Sequence, residues 1–214
     1  MNILKVQKTI LRNEIELIGK PSDHNKLIIG VFHGDEPQGK YLIDEYLKKI
    51  NKTQEGLLFI PCLNPDGMKN GTRTNSNKVD LNRNFPTKNW GRDTSLAGSN
   101  PTDYYCGKSA GSEIETQFLV DILEQYKPET ILALHTPYKI VNYDGPAKSL
   151  AQKISSIINY PVEESIGYPT PGSFGTYCGI ERNIPTITLE MDETCPIEEL
   201  VPPIFTIFDL INCN

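Results

Sequence analysis

The chain has histidines at positions 24, 33 and 135, and two of the three share a position type. His33 and His135 each follow directly on a short run of apolar residues, 27–32 and 131–134. In open α/β sheets ligands bind in the crevice beyond the carboxyl ends of the strands, so both rings are predicted to reach one crevice. Glu36 falls three residues after His33, where a strand must turn into the next helix. At that offset its carboxylate can converge with His33 on a single cation. Two imidazoles and one carboxylate, with a fourth position open to water, are the donor set of a catalytic zinc site rather than a structural one. Taken alone, a His-x-x-Glu pair often arises by chance, and a histidine after a strand also suits a satisfied core position. His24, in Pro21-Ser-Asp-His-Asn25, reads as a solvated loop residue.

A second set of chemically capable residues crowds into residues 63–111, a stretch rich in Asn, Gly, Thr, Ser and Pro with little periodicity. It holds Asn64-Pro-Asp-Gly67, Gly71-Thr-Arg73-Thr-Asn75 and Val79-Asp-Leu-Asn82-Arg83-Asn-Phe-Pro86. Two arginines and an asparagine suit the fixing of a substrate carboxylate, since a guanidinium binds one in bidentate fashion. Surface arginines on a turn-rich loop are the plain alternative for either one alone. A loop this long inside a compact domain is predicted to be functional.

The elements that must position these residues alternate between apolar runs and helical patterns, the signature of an α/β domain. Strands are predicted at 27–32, 57–60, 131–134 and 184–189, the last carrying Glu190 at its end. Helices are predicted from Pro37 to about Ile50, from Ser112 to the stop at Pro128, from Ala147 to Ile158, and from Ile197 to about Leu210. Pro37 suits a first helical turn, and Ser112-Glu-Ile-Glu115 has capping-box spacing. A Pro/Gly-rich segment, Gly167-Tyr-Pro-Thr-Pro-Gly-Ser-Phe-Gly175, separates the last helix pair.

Length and composition set the frame. At 214 residues, with neither an internal repeat nor a low-complexity linker, residues 1–214 read as one domain. Lys and Arg number 21 against 27 Asp and Glu, a net charge of −6, which argues against a nucleic-acid or anionic-membrane partner. The five cysteines are scattered, odd in number and without a C-x-x-C pair, so reduced thiols in the cytoplasm are expected. No secretory segment and no membrane span are predicted.

His33-Gly-Asp-Glu36, the Asn82-Arg83 pair within its motif, His135 and Glu190 resemble, in order and spacing, the zinc metallocarboxypeptidases, over about residues 27–192. The resemblance implies a mixed, twisted β-sheet flanked by helices, the phosphorylase/hydrolase-like fold, in a single catalytic domain. It implies one zinc ion per chain held by His33, Glu36 and His135. Glu190 would be the general base that takes a proton from the attacking water and returns it to the leaving amine. Arg73 would polarise the scissile carbonyl, and Asn82 and Arg83 would grip the terminal carboxylate. For the family's active-site tyrosine Tyr168 is the candidate, with Tyr138 and Tyr177 as alternatives. Lys78 stands where the family pattern has glycine, and Ile114 where proline is common.

Within the family, the segment from Gly167 to Cys178 and the Gly-Ser-Glu-x-Glu-Thr around Ser112 are most similar to small bacterial amidases. Those enzymes cut the γ-D-glutamyl–diaminopimelate bond of cell-wall peptides in the cytoplasm. A small muropeptide substrate is therefore expected, with Asp192 or Glu193 as a partner for the free amine of diaminopimelate. A carboxypeptidase for ordinary L-peptides, a deacylase of small N-acyl amino acids, a cysteine hydrolase using His135 and a muropeptide-binding module are the rival readings.

Overall fold

The computed structural model describes residues 2–50, 54–92 and 101–213. A hairpin of β1 (Ile3–Lys8) and β2 (Glu14–Gly19) precedes β3 (Lys26–Ile29), α1 (Gln38–Lys49), β4 (Leu57–Ile60) and the short α2 (Pro65–Asn70). Then follow α3 (Ile114–Tyr126), β5 (Thr130–His135), β6 (Ile140–Asp144), α4 (Lys148–Ile158), β7 (Val162–Glu163), β8 (Thr186–Glu190) and α5 (Ile197–Cys213). The strands form one mixed sheet in the order β1-β2-β4-β3-β5-β8-β6-β7, with β4, β3, β5 and β8 parallel at its centre. The result is the α/β class expected, a mixed sheet with helices on both faces.

The central strands read as unbroken apolar runs because both of their faces are covered. Side chains of a strand alternate between faces. Ile28, Phe59 and Leu132 therefore pack with helices α1, α4 and α5, against Tyr46, Ile154 and Phe208. Leu27, Ile29, Leu58 and Ile131 face the other way, onto Phe118, Leu119 and Ile122 of α3 and onto Phe85 and Phe174 from the loops.

Three differences from the sequence reading have local causes. The apolar run 27–32 reads as a strand to its end, but β3 stops at Ile29 and Val31 takes a left-handed backbone, φ 55°. A β-branched residue held there costs about 1–3 kcal/mol and persists only where its surroundings enforce it. The enforcing contacts are the Gly30 N–H donating to Ile60 O, and the Leu63 and Asn64 N–H groups donating to Gly30 and Val31 carbonyls, all at 2.9–3.1 Å. That bend carries His33 out of the sheet plane into the crevice. The capping box at Ser112 does not form: the N-cap of α3 is Glu113, with no side-chain cap. Ser112 Oγ instead accepts from Asn84 Nδ2 and Glu115 accepts from Asn75 Nδ2, so long-range partners replace the local pair. The hairpin β1–β2 and strands β6 and β7 were not foreseen from the sequence.

Lys78 has φ 60°, held by an Asn75 side chain that accepts from Asn77 N and Val79 N. This is the position where the family pattern has glycine, and the backbone gives the reason. Lys78→Gly is expected to stabilise the fold by about 0.5–1 kcal/mol, the left-handed penalty less the entropy of glycine. Thermal unfolding of the two proteins checks it, an unchanged or lowered Tm being the contrary result.

Candidate active site

The crevice at the carboxyl ends of β3, β5 and β8 gathers the chemistry. His135 ends β5 and Glu190 ends β8, and the two are register partners on adjacent parallel strands. Their side chains therefore leave the sheet on one face. His33 and Glu36 reach the same point from the turn after β3. That turn lies so close to the start of α2 that a Cβ on Gly34 would come within 2.0 Å of the Gly67 carbonyl carbon. The loop 63–111, expected to be functional, supplies Arg73, Asn82 and Arg83. The eight residues to which the resemblance assigns a role, His33, Glu36, Arg73, Asn82, Arg83, His135, Tyr168 and Glu190, line one cleft of about 290 Å³, together with Asp35, Tyr138 and Glu193.

Glu36 is the point of convergence. Its Oε1 lies 2.8 Å from His33 Nδ1 and its Oε2 lies 3.0 Å from His135 Nδ1. Arg73 Nη1 is 3.7 Å from Oε1. Burial opposes ionisation of this carboxyl, but the two histidines outweigh it and hold the group well below the usual carboxylate range. His33, buried too, is carried up to about 9 against its own desolvation, chiefly by Glu36 and Asp80. His135, with one carboxylate neighbour, is held below its ordinary value by burial.

Asp80 organises the other side. It caps a 3-10 turn at Leu81–Arg83, with Oδ1 accepting from Asn82 N at 2.8 Å. The same oxygen lies 3.1 Å from His33 Nε2, while Oδ2 accepts from Arg73 Nε and Nη2 at 3.3 and 3.0 Å. One fully buried carboxylate thus positions a histidine, an arginine and the turn that carries Asn82 and Arg83. A cation in the crevice would displace the Nδ1 proton of His33, while Nε2 keeps its own proton shared with Asp80. This is the outer carboxylate that metal-ligating histidines commonly use. Asp80→Asn is expected to lower metal affinity or activity by about 10–100-fold. Zinc titration with turnover in parallel reads it; a variant indistinguishable in both would show that Asp80 is only a cap.

The three ligand atoms of His33, Glu36 and His135 lie within 4.8 Å of one another, and all three residues are buried. Their donor chemistry fits a catalytic zinc ion, which matches no structural site because cysteine is absent from it. Beside them Glu190 is buried, and its Oε2 has no hydrogen-bond partner among the described residues. Burial, and then the negative charge of Glu36, push its carboxyl up to about 8. A buried, unpaired carboxylate oxygen beside an assembled donor set fits a site built to receive a cation and water.

Asn82 and Arg83, the pair expected to grip a carboxylate, keep donors in hand. Arg83 is buried, spends Nη1 on the Asn82 carbonyl at 2.7 Å and leaves Nε without a partner. Both Arg73 and Arg83 lie over the Tyr104 ring, at 5.0 and 5.4 Å. Asn82 Oδ1 accepts from Phe174 N at 2.8 Å, which leaves its amide NH2 toward the cleft it lines. Tyr168 lines the cleft and interacts with Tyr138 at the mouth, and burial raises its hydroxyl pKa. Tyr177 is elsewhere, buried beneath the Arg182 guanidinium at 3.3 Å, a packing role. Asp192 is already engaged and does not line the cleft, since it pairs with Lys139 at 3.3 Å and accepts from Thr194. His24 is on the surface beside Glu129, as its loop setting implied.

With fold and geometry in place, comparison with known proteins places the class. Residues 18–161 match the zinc carboxypeptidase family of peptidases, and the chain belongs to it as a metallocarboxypeptidase-type enzyme. Among its relatives, murein peptide amidase A of Escherichia coli is 33% identical over 175 residues, 79% of this chain and 72% of that protein. The Vibrio campbellii murein peptide amidase A is 34% identical over 177 residues, 79% and 70% of the two chains. The crystal structure of murein-tripeptide amidase MpaA from E. coli O157 superposes with TM-score 0.81 at 29% identity, over 96% of this chain and 89% of that one. Carboxypeptidase A of Helicoverpa armigera shares the fold at TM-score 0.74, with 16% identity over 99% and 68% of the chains.

Proposed function

We propose that this chain is a zinc-dependent murein peptide amidase that hydrolyses the γ-D-glutamyl–meso-diaminopimelate bond of free muropeptides. The observation that carries the reading is the similarity to murein peptide amidases over most of the chain, joined to a cleft lined by His33, Glu36, His135 and Glu190. When bound, zinc supplies Lewis acidity, making water acidic enough to attack at neutral pH and polarising the scissile carbonyl. His33, Glu36 and His135 would hold it. Glu190 takes the proton of the attacking water on its unpaired carboxylate and delivers it to the departing amine. Arg73, fixed by Asp80, presents its guanidinium to the oxygen on which negative charge develops, the largest electrostatic term in acyl transfer. Asn82 and Arg83 fix the carboxylate of the terminal residue, and Tyr168, which lines the cleft, contacts the substrate.

The muropeptide is a small peptide, and its acidity is no obstacle because the guanidinium groups act locally within a chain of net charge −6. All five cysteines are free thiols, which supports a reducing, cytoplasmic compartment. No described helix is long and apolar enough to cross a membrane. Release of diaminopimelate from L-Ala-γ-D-Glu-meso-diaminopimelate by zinc-loaded protein tests the reading. Cleavage of an ordinary L-peptide alone would favour the carboxypeptidase reading.

A further inference from the structure

With Asn82 and Arg83 holding the released residue at one end of the cleft, the other half of the substrate leaves past Arg73. A separate cavity of about 490 Å³ opens there. It shares Asp35 and Arg73 with the catalytic cleft but has none of Asn82, Arg83 or Tyr168 in its wall, which includes Lys78 and Asp103. Of its two cations, one is already engaged. The Arg73 guanidinium donates through Nε and Nη2 to Asp80 and turns Nη1 towards Glu36. The Lys78 ammonium has no hydrogen-bond or ion-pair partner among the described residues.

The backbone shows that this lysine is held where it stands. Its φ of 60° is a left-handed conformation in which any side chain is costly. The turn is enforced from beneath. Asn75 N–H donates to Val79 O and Lys78 N–H to Asn75 O, at 3.0 and 2.9 Å. The buried Asn75 also donates through Nδ2 to Glu113 Oε2 and Glu115 Oε2, at 2.8 and 3.3 Å, and both glutamates are buried at the start of α3. A turn pinned this firmly to the interior carries an exposed, unpaired lysine at its apex, on the wall of the cavity. Strained residues enforced by their surroundings cluster at ligand-binding positions. Glycine would relieve the strain here and discard only the side chain that bears the ammonium.

Charge identifies the ligand. The cavity sets one unpaired ammonium beside two carboxylates, Asp35 and Asp103. The acyl half of L-Ala-γ-D-Glu-diaminopimelate carries both signs as well. Because its D-Glu is joined through the γ-carboxyl, the α-carboxylate stays free, a short aliphatic stretch from the scissile carbonyl, and the L-Ala ammonium lies beyond it. In an ordinary L-peptide the α-carboxyl is the scissile carbonyl itself, so no free carboxylate of the main chain stands at that point. We propose that Lys78 is a specificity-determining residue that pairs with the free α-carboxylate of the γ-linked glutamyl residue. It tells a γ-D-glutamyl bond from an ordinary peptide bond on the acyl side of the cut. The orientation of the substrate rests on the amidase reading above.

The test compares L-Ala-γ-D-Glu-meso-diaminopimelate with its analogue bearing a carboxamide in place of the D-Glu α-carboxylate, on the zinc-loaded full chain at low salt. The carboxamide is expected to lose about 5–10-fold in kcat/KM, mostly in KM, between the worth of an exposed ion pair and that of a charge-assisted hydrogen bond. Raising the salt to about 0.5 M should narrow the gap. Lys78→Gly is expected to bring the carboxylate substrate down to the carboxamide value and leave the carboxamide unchanged, while Lys78→Arg keeps the gap. The glycine variant is expected to unfold at a higher temperature, so its loss of kcat/KM is not a loss of fold. Calorimetric binding of the dipeptide L-Ala-D-Glu and of its α-carboxamide reads the same difference without turnover. Two tripeptides cut within about twofold of each other at low salt, or a glycine variant that keeps the gap, overturn the inference and leave the amidase reading standing. Refusal of both tripeptides by protein that cuts an ordinary L-peptide overturns the amidase reading and the role of Lys78 with it.

Discussion

Glu190→Gln is expected to lower kcat by about 10²–10⁴-fold, the usual contribution of a positioned general base, with zinc content and KM little changed. The substitution keeps shape and burial while removing the proton-accepting charge. Glu190 has an unpartnered oxygen, whereas Glu36 is committed to two histidines and Asp80 to Arg73 and His33. The pH dependence carries a sign. The base works ionised, and burial with the nearby Glu36 raises its pKa to about 8. A cation at His33, Glu36 and His135 opposes that rise. The kcat/KM profile should therefore climb as pH increases through the Glu190 pKa, at a value below 8, and that acid limb should vanish in the glutamine variant. A variant keeping about a tenth of the activity, with the limb intact, would place the base elsewhere.

Glu36→Gln is expected to weaken zinc binding by more than about 100-fold, beyond the roughly 10–100-fold typical of losing an outer partner, and to abolish turnover at stoichiometric metal. The carboxylate touches both histidines, through separate oxygens at 2.8 and 3.0 Å. Replacing one oxygen with NH2 sets a donor against one imidazole nitrogen and removes the negative charge that offsets Arg73. Removing one partner from a buried charged set leaves the others uncompensated, so a lower Tm should accompany the loss. Zinc stoichiometry after dialysis, read beside thermal unfolding, checks both parts. Full zinc retention would mean that the two histidines and another group suffice.

Much of this site could be read from the chain because strand ends are local. An apolar run stops, a histidine follows, and the crevice rule places it; His135 and Glu190 proved to be register neighbours for that reason. The central strands were legible from their unbroken apolar runs. The edge of the sheet was not: β1 alternates exposed and half-buried residues, and β6, Ile140-Val-Asn-Tyr-Asp144, interrupts its apolar residues with Asn142 and ends on Asp144. Its strand character comes from pairing with β8, a long-range cause.

Asp80 escaped because its partners are distant in sequence. Asp80 lies within the stretch from Val79 to Pro86, but its partners His33 and Arg73 come together only through the folded loop. The local capping signal at Ser112 misled because Asn84 and Asn75, distant in sequence, take up the same side chains.

The central claim is tested most directly by release of free diaminopimelate from L-Ala-γ-D-Glu-meso-diaminopimelate, followed with zinc-loaded and chelator-treated protein in parallel. Release by the loaded protein is expected, with its loss on chelation and its return when zinc is restored. Release that survives complete removal of metal, or intact tripeptide after incubation with fully loaded protein, would contradict the claim.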